Sequence, residues 1–147
     1  MSIFFGENNY EHGSSDKTGI LLTNLGTPDE PTARAVKPYL REFLSDPRVI
    51  EIPKLIWQII LRGIILQIRP KRSAKTYSTV WTKEGSPLLV IAQKQLDLVK
   101  KELKSQYPNT VVELAMRYGN PSIESALQKL QQQQVRRLLV LPLYPQY

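Results

Sequence analysis

The sequence predicts an α/β protein built on a doubly wound parallel sheet, and three observations carry that expectation. Three short apolar runs, Thr18–Leu25, Thr110–Met116 and Arg137–Leu143, are bounded by turn residues, as strands covered by helices on both faces are. Helical patterns, with apolar residues three and four apart, separate the runs. The first two runs lead into glycine-bearing turns, Asn24 to Pro28 and Arg117 to Pro121, at the sheet edge where ligands bind in open α/β folds.

The bulk properties agree with one domain and a real core: 147 residues, 41% hydrophobic and 22% charged. No cysteine is present, which excludes disulfides, iron–sulfur ligation and thiol nucleophiles and leaves the compartment leaning to the cytoplasm. A net charge of +7 is spread in short clusters along the chain. It fits an acidic lipid surface or an acidic small ligand, and nucleic acid is not expected.

Residues 1–17 are polar, without the apolar core of a signal peptide, and read as a flexible N-terminal arm. The single histidine, His12, lies there with no partner residues and reads as a solvated side chain. The domain proper is expected over 18–147. In its opening strand, Gly26 allows a close approach to the main chain and Pro28 stops the strand. An ordinary strand-to-helix connection is the alternative reading of this turn.

Asp29 to Thr32 then offer a helix start, with Val36, Leu40, Phe43 and Leu44 at helical spacing. Pro38 within it marks either a kink or the true first turn. Ser45-Asp46-Pro47 ends the segment. Residues 50–68 are the most apolar stretch, but Arg62 and Gln58 interrupt it and argue against a membrane span. Its two readings are a helix buried in the core, or a lip with basic residues Lys54, Arg62, Arg69, Lys71 and Arg72 that touches a membrane surface or a large apolar ligand. Pro70 is expected to end it, with a short helix over Ser73–Trp81 placing Tyr77, Val80 and Trp81 on one side.

A turn at Lys83 to Pro87 precedes a long helix, Leu88–Gln106, with Leu89, Ala92, Leu96, Val99 and Leu103 on its apolar face. Ser122–Gln134 forms the last helix, burying Ile123, Ala126, Leu127 and Leu130. The chemistry therefore gathers at three strand ends: Asn24 to Thr27, Arg117 to Gly119, and Tyr144 to Tyr147. Aromatic, amide and guanidinium groups of this kind stack on a flat ring and hold carboxylates. No nucleophile with its base, no phosphate-cradling glycine loop and no metal cluster accompanies them.

Four segments in order, Gly19-Ile-Leu-Leu-Thr-Asn-Leu-Gly-Thr-Pro28, Tyr77 with Gly85-Ser86-Pro87-Leu88, Arg117-Tyr118-Gly119, and Leu143-Tyr144-Pro145-Gln146-Tyr147, resemble successive motifs of the ferrochelatases. The Asn-Leu-Gly-Thr-Pro and Tyr-Pro-Gln-Tyr forms are most similar to those of Gram-negative bacterial members. The resemblance implies a Rossmann-like domain, one half of the two-domain chelatase fold, and insertion of ferrous iron into protoporphyrin IX in haem biosynthesis. Both are substrates, and no covalently bound cofactor is implied. Leu25, Tyr77, Ser86, Arg117, Tyr118, Tyr144 and Tyr147 are the expected porphyrin contacts. Leu25 stands where other members carry Met or Tyr beside the metal path, and leucine cannot coordinate iron.

The family's histidine and glutamate for proton and metal handling lie beyond the Tyr-Pro-Gln-Tyr motif, and no residue here matches them. The resemblance is thus to an amino-terminal half, expected to carry part of the porphyrin cleft, no catalytic residue and no metal ligand. Such a half is expected in the cytoplasm or peripherally at the inner membrane, touching lipid through residues 50–68, and prone to self-association. The alternatives are a non-catalytic tetrapyrrole or membrane-surface binding module, and a half-length homodimeric chelatase. Small cobalt chelatases of the latter kind place a histidine just after the first strand, where this chain has Asn24-Leu25-Gly26.

Overall fold

The computed structural model describes residues 17–145. Strand β1 (Lys17–Thr27) is followed by helix α1 (Ala33–Ser45), helix α2 (Lys54–Ile60), a π-helical turn (Leu61–Ile65), and helices α3 (Leu66–Val80) and α4 (Pro87–Gln106). Strand β2 (Thr110–Gly119), helix α5 (Ile123–Gln132) and strand β3 (Val135–Pro142) complete it. All pairings are parallel in the order β2-β1-β3, with Thr18 opposite Thr110 and Ile20 opposite Leu139.

The predicted three-stranded parallel core is therefore present, with β1 in its centre. Successive side chains of a strand face opposite ways, so a central strand covered on both sides is apolar at consecutive positions, as Ile20, Leu21 and Leu22 are. Leu22 joins Val112, Leu114 and Met116 beneath Ala92 and Leu96 of α4, while Leu21 joins Ala115 beneath Ala126 and Leu130 of α5. Leu21 and Leu22 are almost completely buried, and each contributes about 1.5–3 kcal/mol by leaving water. The helices thus lie on both faces, as the doubly wound reading requires.

Several boundaries differ from expectation, and the open choice at Pro38 is decided. β1 and β2 continue through Thr27 and Gly119, so residues expected in loops finish the strands. β1 also starts at Lys17, assigned from the sequence to the arm. Pro38 sits well inside α1, which Thr32 starts by accepting a hydrogen bond from the Ala35 amide at 3.3 Å. Pro70 does not end a helix: it lies buried within α3, which runs unbroken past Tyr77.

The segment 54–80 forms a nearly continuous helical arm with two unlike sides, one packed into the core and one exposed. Trp57, Leu61, Leu66 and Ala74 pack with Val36, Leu40 and Leu44 of α1. Leu55, Ile56, Ile59, Ile64 and Ile68 are exposed, Leu55 at 78%. Val80 is also exposed, as is Leu127, the latter contrary to its expected place on the buried face of α5. Among the described residues, no helix is long and apolar enough to cross a membrane.

Candidate functional site

A cleft of about 880 Å³ opens at the carboxyl ends of β1 and β2, walled by α1 and by the loop that follows it. Two glycines bring the strand ends together. Gly26 has φ +115°, and a Cβ there would lie 1.8 Å from the Tyr118 carbonyl oxygen. Gly119 has φ +81°, and a Cβ would lie 2.7 Å from the Thr27 carbonyl oxygen. Only glycine satisfies both the backbone angle and the contact at these sites.

Asp46 is the polar centre of the wall. Its Oδ2 accepts from Arg117 Nη2 at 2.5 Å and from the Tyr118 hydroxyl at 3.0 Å, and its Oδ1 accepts from the Arg48 amide at 2.9 Å. The carboxylate side chain is only 8% exposed, whereas that of Arg117 is 36% exposed. Hydrogen bonding from the Arg48 amide holds the Asp46 carboxyl below its ordinary range, helped by the Tyr118 hydroxyl and Arg117 and opposed by burial. Burial first, and then the Asp46 contact, pushes the Tyr118 hydroxyl up. The guanidinium of Arg117 also lies over the Tyr118 ring, 5.1 Å from its centre.

Tyr39 closes the floor, its hydroxyl donating to the Gly26 carbonyl at 3.3 Å. Burial, ahead of the neighbouring Tyr77, raises its pKa well above the ordinary phenol range. On the rim, Glu42 accepts from the Gly119 amide at 2.9 Å and Asp29 accepts from the Asn120 amide group at 3.0 Å. Thr27 Oγ1, buried in the same wall, has no hydrogen-bond partner among the described residues.

Of the expected contact residues, Arg117 and Tyr118 line this cleft. Leu25 is exposed near the end of β1, and Tyr144 lies half-buried two positions past the last registered pair, Thr23 with Pro142. Both sit at the same sheet edge but outside the cleft lining. Tyr77 packs edge-on against Tyr39 and Trp81 in the base of the arm, and Ser86 is buried at the start of α4. Tyr147 and His12 lie outside the described residues. Asp46 and Tyr39 carry the site without having been singled out as functional; Ser45-Asp46-Pro47 signalled only a turn.

Glu84 and Glu113, two carboxylates outside the cleft lining, are each paired with a lysine. Glu84 pairs with Lys94 at 3.2 Å on the surface, and Glu113 pairs with Lys100 at 3.8 Å along β2. Among the described residues, no group of three or more histidine, aspartate or glutamate side chains is placed to hold a metal ion.

The sequence model of the family described as Ferrochelatase matches residues 17–147. The chain belongs to the ferrochelatase family. It is 60% identical over 145 residues to a ferrochelatase of Thioalkalivibrio sulfidiphilus, covering 98% of this chain and 39% of that protein. It is 58% identical over 148 residues to one of Chromobacterium violaceum, covering 100% of this chain and 41% of that protein. A ferrochelatase of Idiomarina loihiensis is 57% identical over 143 residues, covering 97% and 39%. The chain therefore spans about two fifths of the length of the curated ferrochelatases it matches.

Proposed function

We propose that this chain, as a domain over 18–147, supplies one wall of the porphyrin cleft of a protein that inserts ferrous iron into protoporphyrin IX, a step of haem biosynthesis. The supporting observation is the family match over residues 17–147 together with a cleft at the strand ends that Arg117 and Tyr118 line. Arg117 gives Nη2 to Asp46, and its partly exposed guanidinium retains further donors for a ring carboxylate. Tyr118, Tyr144, Tyr147 and Leu25 would add contacts to the macrocycle, with Tyr77 and Ser86 shaping the base of the arm.

Insertion of ferrous iron releases two protons from the pyrrole nitrogens, so a base must reach those nitrogens. Glu84 and Glu113 are paired away from the cleft, and Asp46 is a depressed carboxyl holding three donors. The chain alone is proposed to bind porphyrin weakly and not to metallate it. Positioning of both substrates also requires a closed site. The exposed side of the arm, residues 50–68, is proposed to rest peripherally on the inner membrane from the cytoplasmic side.

An anaerobic assay with ferrous iron and protoporphyrin, followed by the haem absorption spectrum, tests the reading. The chain alone should be inactive, and activity should appear when a polypeptide covering the rest of the relatives' length is added. Turnover by the chain alone that survives His12→Ala would sink it and favour a homodimeric chelatase. Porphyrin fluorescence quenching should weaken in Arg117→Ala and in Ile64→Glu. Equal affinity in all three would mean nonspecific adsorption, leaving no porphyrin wall.

A further inference from the structure

A second groove, of about 510 Å³, runs between α1 and the helical arm and adjoins the first cleft, with which it shares Pro38, Arg41 and Arg62. Arg34, Lys37 and Arg41 line it at helical spacing from α1, and Arg62 faces them from the π-helical turn. No acidic side chain lines the groove. None of these four cations has an ion-pair partner among the described residues. The nearest α1 carboxylate, Glu42, is turned to the Gly119 amide, and Asp46 at the helix end holds Arg117, Tyr118 and Arg48.

Four unneutralised cations around one concavity repel one another unless an anion sits between them. Guanidinium forks suit a phosphate oxyanion, and a lysine adds a point charge. The flank of the groove indicates where that phosphate comes from. Arg62 and Leu66 belong to the arm whose outer side exposes Ile59, Ile64 and Ile68, so a cationic recess stands beside an apolar stripe. An interfacial helix presents this pairing to lipid, with its apolar side in the acyl boundary and its cations at the headgroups.

We propose that the groove formed by Arg34, Lys37, Arg41 and Arg62 binds the phosphate headgroups of an anionic membrane surface. This rests on the reading of the arm as a membrane contact; Arg34 and Lys37 line this groove alone, whereas Arg41 and Arg62 also line the first cleft. The groove sets the lipid class, and the apolar stripe sets the depth.

The test is cosedimentation of the chain with phosphatidylcholine vesicles, with and without phosphatidylglycerol. Arg34→Gln/Lys37→Gln/Arg41→Gln should weaken binding to the anionic vesicles on the order of a hundredfold. Lys101→Gln/Lys104→Gln/Lys129→Gln, which removes the same charge from α4 and α5, should weaken it only a few-fold. Equal losses in the two triple variants would overturn the groove in favour of diffuse charge. Saturable, Arg34-dependent binding of soluble glycerol phosphate that releases the chain from vesicles would overturn the lipid assignment. Binding that falls with Ile59→Ser/Ile64→Ser but not with the α1 substitutions would overturn the groove and leave the arm reading standing.

Discussion

At Gly26 two demands coincide: a backbone angle closed to other residues, and a carbonyl oxygen where a side chain would begin. Gly26→Ala should cost at least about 3 kcal/mol, read from the urea midpoint, because strain and overlap add. Gly63 is the opposite case, in the π-helical turn with nothing within 4 Å of a built Cβ, and Gly63→Ala should stabilise by about 0.5–1 kcal/mol. Asp46 gives a pH signature. Its folded pKa is depressed, so its contribution is present above the ordinary carboxylate pKa and lost as pH falls through the folded value. Asp46→Asn should therefore be less stable than wild type at neutral pH, with the gap closing in acid; a gap independent of pH would refute the assignment. The glycines of this site were legible because turn chemistry is local. Asp46 was not, because its partners Arg117 and Tyr118 lie 71 and 72 residues away and no local pattern encodes that meeting.

The helical arm is fastened to α1 by packing and by one directed bond. Trp57 Nε1 donates at 2.6 Å to the Leu44 carbonyl, one of the last carbonyls of α1 that lack a helical partner. Trp57→Phe keeps most of the packing and removes that bond. It should cost about 1 kcal/mol and speed amide exchange in α2 while leaving the strands protected. The helices α4 and α5 were read nearly to the residue, since Pro87 in the first turn of α4 and the Ser122 cap of α5 are local features. The arm was misread at Pro70. A proline removes one helical hydrogen bond, but helix-on-helix packing around Leu66 and Ala74 outweighs a single missing bond. The double nature of 50–68 also escaped the sequence, because surplus apolar residues do not say which of them a neighbour will cover.

Across the whole molecule the sheet is unevenly protected. β3 is an edge strand whose Leu138, Leu139, Val140 and Leu141 remain 44–55% exposed, although they alternate between the two faces. The chain should self-associate as concentration rises, and Leu139→Lys should shift sedimentation toward monomer without altering the helical signal. A clean wild-type monomer at high concentration would contradict this.

The central place of β1 also fixes an order of events during synthesis. β1 leaves the ribosome first, yet both its partners, β2 and β3, come from the far part of the chain, with Thr18 pairing Thr110 on one side and Arg137 on the other. Until Thr110 has been translated, an apolar strand with no sheet to join must wait beside a helical arm that already has local contacts. A nascent chain halted within α4 should therefore show a protected α1–arm pair and a fully protease-sensitive Lys17–Thr27, the segment most in need of a holding chaperone.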